Sequence, residues 1–201
     1  MSTPSLTDQL LSHLQGAPLQ QIAQQIGATP EQTSSAVGSA LPVLLGALGR
    51  NAAQPQGAEA LFGALQRDHA GQDLGSVLGS VLGGGGQGGG ASILGNIFGS
   101  GAASDRAQEG VGAATGLGSG QAGQLLALLA PIVLSFLANR SAQQGLDAGG
   151  LGQALGQEGQ QLRQQGGVGD LLGQVLDQDG DGKLGLNDLV KLGGSLLGGR
   201  R

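Results

Sequence analysis

The run Asp177-Gln-Asp-Gly-Asp-Gly-Lys-Leu-Gly-Leu-Asn-Asp188 is the stretch whose residue types and spacing could do chemistry. Asp177, Asp179, Asp181 and Asp188 stand at the first, third, fifth and twelfth places of a twelve-residue loop, with Gly182 at the sixth. A calcium ion takes about six to eight hard oxygens, and alternate side chains of a tightly curled loop can converge on one point. Three carboxylates, from Asp177, Asp179 and Asp181, would come from the first half of the loop. Lys183 would add its backbone carbonyl, with its ammonium turned outward, and Asp188 would close the site. Gly182 allows the sharp turn because a residue without Cβ reaches positive φ at little cost. Gly185, at the ninth place, has no side-chain oxygen, so water would fill that position. The plainer alternative is an Asp-capped turn that binds nothing; the filling of every fixed place but the ninth favours one calcium ion.

The flanks support the same reading. Val168, Leu171, Leu172, Val175 and Leu176 precede the loop at helical spacing, and Leu189, Val190, Leu192, Leu196 and Leu197 follow it, which predicts the helix–loop–helix of an EF-hand. Asp at the closing place, followed by Leu, resembles the calcium loops of bacterial dockerin-type modules more than those of calmodulin, where Glu is usual. Four carboxylates this close repel one another without a counter-ion, so metal is expected to order this helix pair. EF-hand sites usually pair, and a single loop does not predict cooperative switching.

The rest of the chain must supply the frame for that loop, and its composition limits how. Among 201 residues there are 43 Gly and three aromatic residues, all Phe, so the core has to be built from Leu, Ile, Val and Ala. The net charge is -5, and five of the ten Asp lie between Asp170 and Asp188. No Cys is present, which removes disulfides, thiolate metal sites and thiol nucleophiles together. The first residues lack the basic stretch and apolar run of a signal peptide. The apolar run from Leu125 to Ala138 is interrupted by Pro131 and Ser135 and is shorter than the roughly twenty residues a spanning helix needs. No membrane span is expected, and a cytoplasmic location is the default.

Along the chain the periodicity is helical throughout. Ser5 and Asp8 make a cap-like start for Leu6, Leu10, Leu11 and Leu14. Pro18 opens a second helix, with Leu19, Ile22, Ala23 and Ile26 inward and Gly27 at its end. Thr29, Pro30 and Gln32 start a third that runs through Val37 and Leu41 to Pro42, where a kink or break is expected. At an offset of 89 positions, Ala40–Leu48 lies over Leu129–Leu137, Pro42 over Pro131, Gly27 over Gly116 and Gln32 over Gln121. Leu61 and Leu65 recur as Leu151 and Leu155 with a slip of one. This is a divergent duplication, each half centred on a Pro-broken apolar helix, the two packed together or across a dimer. Between them, Leu74–Leu82 repeats Leu-Gly-Ser-Val, helical only if something packs on it, and Gly83–Gly90 reads as a flexible linker. The expected fold is therefore all-α: a helical half over 1–73, a repeat and Gly-rich linker over 74–92, a second half over 93–167, and the helix–loop–helix over 168–201.

Ile93-Leu-Gly-Asn-Ile-Phe-Gly99, then Leu125–Pro131 with Ile132-Val-Leu-Ser-Phe-Leu137, then Gln144-Gly-Leu-Asp147 and the Asp-Gly-Asp-Gly loop occur in an order that resembles the bacterial DUF937 (YidB-like) family. The likeness covers most of the chain. It implies an all-helical domain of unknown function and supplies no activity. Asn96 departs from the pattern, since relatives often carry His there, and no role of that His carries over.

Other functions fit less well. Leu19–Val37 has helix-turn-helix spacing, but Met1–Gly49 contains no Lys or Arg to neutralise phosphate, so the pair is expected to pack rather than read nucleic acid. His13, at the polar edge of the first helix, and His69, in Arg-Asp-His-Ala, have no obvious carboxylate partner in sequence and read as surface histidines, and no Ser sits in a nucleophile elbow. Gly84, Gly86 and Gly89 match a dinucleotide fingerprint only through glycine content, with no strand before them. No enzyme is expected. The expectation is a calcium-binding helical protein, with a metal-independent scaffold or self-associating protein as the alternative; a homo-oligomer or protein partner fits either.

Overall fold

Nine α-helices and two π-helical turns, with no strand, make up the residues that the computed structural model describes, which are 5–69, 74–85, 87–99 and 101–164. In chain order they are α1 (Leu6–Leu14), α2 (Ala17–Ile26), α3 (Pro30–Ala52), α4 (Pro55–Ala64), a π turn (Leu65–His69), α5 (Leu74–Ser80), a second π turn (Val81–Gly85), α6 (Gln87–Phe98), α7 (Gly101–Thr115), α8 (Ser119–Gln144) and α9 (Ala148–Gln164). Residues 1–159 form one unit and 160–201 a second, of which only the end of α9 is described. The all-α array expected from periodicity is the fold observed.

Local sequence sets the helix ends. Ser5 caps α1 by accepting from Asp8 N at 3.0 Å. The end of α2 is Gly27, left-handed at φ 67°, with Ala28 N bonded to Ala23 O at 3.0 Å. Thr29 and Gln32 make a reciprocal capping box at the start of α3: Gln32 N donates to Thr29 Oγ1 at 3.2 Å, and Thr29 N to Gln32 Oε1 at 3.3 Å.

The duplication is visible in the backbone. Two short helices, a long Pro-containing helix and a following helix occur as α1–α4 and again as α6–α9. Gly116 is left-handed at φ 73° where Gly27 is, and Gln121 accepts from Gly118 N at 3.1 Å as Gln32 does from Thr29 N. The halves pack on each other within one chain, α3 against α8. Gln121 fastens them further, donating from Nε2 to Ile26 O at 3.0 Å and Gly27 O at 3.1 Å, at the end of α2.

Two expectations are corrected. Neither proline breaks its helix: α3 continues through Pro42 and α8 through Pro131. A proline removes one ladder bond, whereas Leu41, Leu44, Leu45 and Leu48 around Pro42, and the whole run 128–138 around Pro131, are buried. Burying both sides of each proline together outweighs that one bond. Nor is Gly83–Gly90 simply a linker. The second π turn and the start of α6 fall in it, and a Cβ on Gly90 would lie 2.1 Å from Ala127 O. Glycine there permits close approach of α6 to α8. In the preceding repeat it is Val77 and Val81 that are buried, with Leu74, Leu78 and Leu82 packed partly against the core.

The centre of the unit is α8, in contact with α2, α3, α5, α6, α7 and both π turns. It is long and apolar enough to cross a membrane by length and composition, more so than the 125–138 run suggested, because it extends from Ser119 to Gln144. Of its apolar 18-residue window, 78% is buried among the other helices, the surroundings of a core helix.

Candidate functional site

Asp177, Asp179, Asp181, Lys183 and Asp188, together with the apolar flanks on either side of their loop, lie outside the described residues. Among the described residues no group of three or more His, Asp or Glu side chains could hold a metal ion. The geometry that the structure does provide is a polar junction joining α1 to α8 and α9.

That junction is built from the first turn of α1. The first N–H groups of a helix have no acceptor inside it. Gln9 N bonds Ser5 O at 3.1 Å, and Asp8 N bonds Ser5 Oγ at 3.0 Å. Leu6 N and Thr7 N, still without partners, donate to Glu158 of α9: Leu6 N to Oε2 at 2.8 Å and Thr7 N to Oε1 at 3.1 Å. Thr7 Oγ1 donates to the same Oε1 at 2.8 Å. Glu158 is 4% exposed. Its carboxylate faces the positive end of the α1 dipole and is matched by donors. Ser5 Oγ also donates to Asp8 Oδ2 at 2.7 Å. The remaining donors are met by a residue about 150 positions away.

One turn further along α1, Arg140 Nη1 of α8 donates to Gln9 Oε1 at 2.6 Å, and the Arg140 Nε is buried without a partner. His13 lies exposed, its Nδ1 2.8 Å from Gln9 O, with its ring edge-on to Phe136 at 6.1 Å between centroids. Gln9 and His13 thus face Phe136 and Arg140 at matching one-turn spacings. The arrangement docks one helix on another through one charge-assisted bond and one edge-on ring contact.

Two open cavities lie elsewhere. One of about 470 Å³ is lined by Gln21, Gln24, Gln25, Gly79, Leu82 and Gly83, with Gln25 Nε2 donating to Leu82 O. Another of about 460 Å³ runs beside the end of α8, between Phe62, Leu65 and Leu146, with Asn139 and Ser141 in its wall. Neither lining includes an ionisable side chain. The α2–α3 pair is used for packing: Ile22, Ala23, Ile26, Thr33, Ala36 and Val37 are buried, and Glu31, Gln32, Ser34 and Ser35 are exposed.

Sequence reasoning missed Glu158, although a signal existed. Leu151, Leu155 and Glu158 fall at i, i+4 and i+7, on one face of α9, and an acid in line with two buried leucines needs donors brought to it.

A family described as "Bacterial protein of unknown function (DUF937)" matches residues 8–140, a span that runs from within α1 to within α8 and stops before α9. No curated protein and no solved structure matches the chain. Glu158 and the acidic loop both fall beyond the matched span.

Proposed function

Because this chain belongs to the DUF937 family of bacterial proteins of unknown function, its chemistry has to be sought in its own residues, and we propose that it is a non-enzymatic helical protein that binds one calcium ion through the loop Asp177–Asp188. The observation that carries this reading is the register of that loop, with Asp177, Asp179, Asp181 and Asp188 at ligand positions and Gly182 at the turn. Asp177, Asp179 and Asp181 would supply carboxylate oxygens, Lys183 its carbonyl, and Asp188 the closing carboxylate. A closing Asp reaches less far than Glu, so an affinity below that of sensor sites and weaker discrimination against Mg²⁺ follow.

The test is a calorimetric Ca²⁺ titration of the chelator-treated full chain, with Mg²⁺ as competitor and an Asp177→Ala, Asp181→Ala variant alongside. One saturable site that disappears in the variant is the expected result. No heat up to about 1 mM Ca²⁺, near the weak end of the range such loops cover, with an unchanged melting temperature, would leave the metal-independent scaffold.

A further inference from the structure

We propose that α1 is a strap that opens as a unit about Gln15–Gly16, with the Glu158 carboxylate as its catch. The link between α1 and α2 is two residues long, and Gly16 adopts φ 82° and ψ -129°, a conformation that a residue with Cβ rarely takes. A Cβ there would meet nothing within 4 Å, so the requirement for glycine comes from the backbone and not from packing. At the far end of the strap, Leu6 N, Thr7 N and the Thr7 hydroxyl all end on one buried carboxylate. Arg140 holds the middle through Gln9.

These fastenings come from side chains of α8 and α9, while Leu6, Leu10 and Leu14 supply the apolar contact. A helix of nine residues does not persist alone in water, so α1 keeps its form only while seated. When it lifts, its first N–H groups and the Glu158 carboxylate both return to water, and no charge is stranded. With α1 seated and the carboxylate removed, by contrast, two N–H groups and a hydroxyl lose their acceptor in a buried place. Loss of the catch therefore shifts the balance toward the open strap. Opening frees Leu6, Leu10 and Leu14 from the core and bares the surface they cover, and leaves the α3–α8 contact in place.

Native-state hydrogen exchange of the full chain tests this with two variants that act at opposite ends of the strap. Glu158→Gln removes the charge and turns an amide donor toward donors; Gly16→Ala strains the link without touching the catch. Each is expected to speed exchange of the α1 amides by about tenfold or more, while amides from Leu125 to Leu137 stay within about twofold of the parent chain. Should α1 amides keep their rates in both variants, or quicken only in step with those of α8, α1 is a fixed part of the core and the proposal fails. Loss of the whole fold in both variants has the same meaning.

Discussion

Pro42 and Val43 of α3 are half-buried, whereas Pro131 and Ile132, at the matching places of α8, are buried. The two helices share an apolar pattern and capping geometry, and they contact each other, yet only α8 has an unbroken buried stretch around its proline, over 128–138. The difference comes from what else each half brings to its helix. On α8 the backbone of α6 presses in at Gly90, against the carbonyl of Ala127. That carbonyl lies four residues before Pro131 and is the one whose helical partner the proline removes. At the corresponding place in α3, four residues before Pro42, stands Gly38, which is half-buried. One duplicated pattern has thus served as a core helix in one half and as a covering helix in the other.

The sharpest way to break that asymmetry is Gly90→Ala. The added Cβ would sit 2.1 Å from Ala127 O and 2.8 Å from its carbonyl carbon, both backbone atoms that cannot rotate away. Separating α6 from α8 is expected to cost about 3 kcal/mol or more in urea unfolding. The control is Gly89→Ala, one residue earlier, which has open space around the new Cβ and is expected to gain about 0.5 to 1 kcal/mol from helix propensity. Equal effects at the two positions would mean that α6 does not press on α8.

Truncation at the twin positions is a smaller perturbation and separates the two helices directly. Ile132 is 0% exposed and loses three carbons as Ile132→Ala, for an expected cost of about 2 to 5 kcal/mol. Val43→Ala removes two carbons from a half-buried site and is expected to cost about 1 kcal/mol or less. The comparison is made by midpoint shifts at unchanged slope. A Val43 loss as large as that at Ile132 would place α3 in the core on equal terms.

What was legible in the sequence follows the same divide between local and distant causes. Ser5, Gly27, Thr29 and Gln32 act within a turn of themselves, and their spacing predicted the helix ends that form. The repeat at an offset of 89 was legible because both copies keep Gly, Gln and Pro at set places. The effect of Pro42 and Pro131 was not, because local rules see one missing hydrogen bond and cannot see the leucines packed on both sides. Gly90 read as linker for a related reason: its lack of a side chain signals freedom in isolation and contact beside Ala127. Glu158 shows the limit most plainly, since its donors come from residues 6 and 7, at the other end of the unit. The acidic loop is the opposite case, since the ligands proposed for it all lie within twelve consecutive residues.

The smallest expected effect concerns the capping glutamines, which are equivalent in position but not in reach. Gln32 is exposed, and its side chain serves its own helix, through a 3.3 Å bond from Thr29 N. Gln121 makes the matching bond from Gly118 N and then donates twice across the duplication, to the last carbonyls of α2. Gln32→Ala removes one exposed bond and is expected to cost about 0.5 kcal/mol. Gln121→Ala removes the cap and the link together, for about 1 to 2 kcal/mol. Because Gln121 ties the end of α2 to the start of α8, its loss should also speed exchange of the last α2 amides, which Gln32→Ala should leave alone. If the two variants lose the same stability and neither alters α2, the Gln121 bonds contribute nothing measurable to joining the halves.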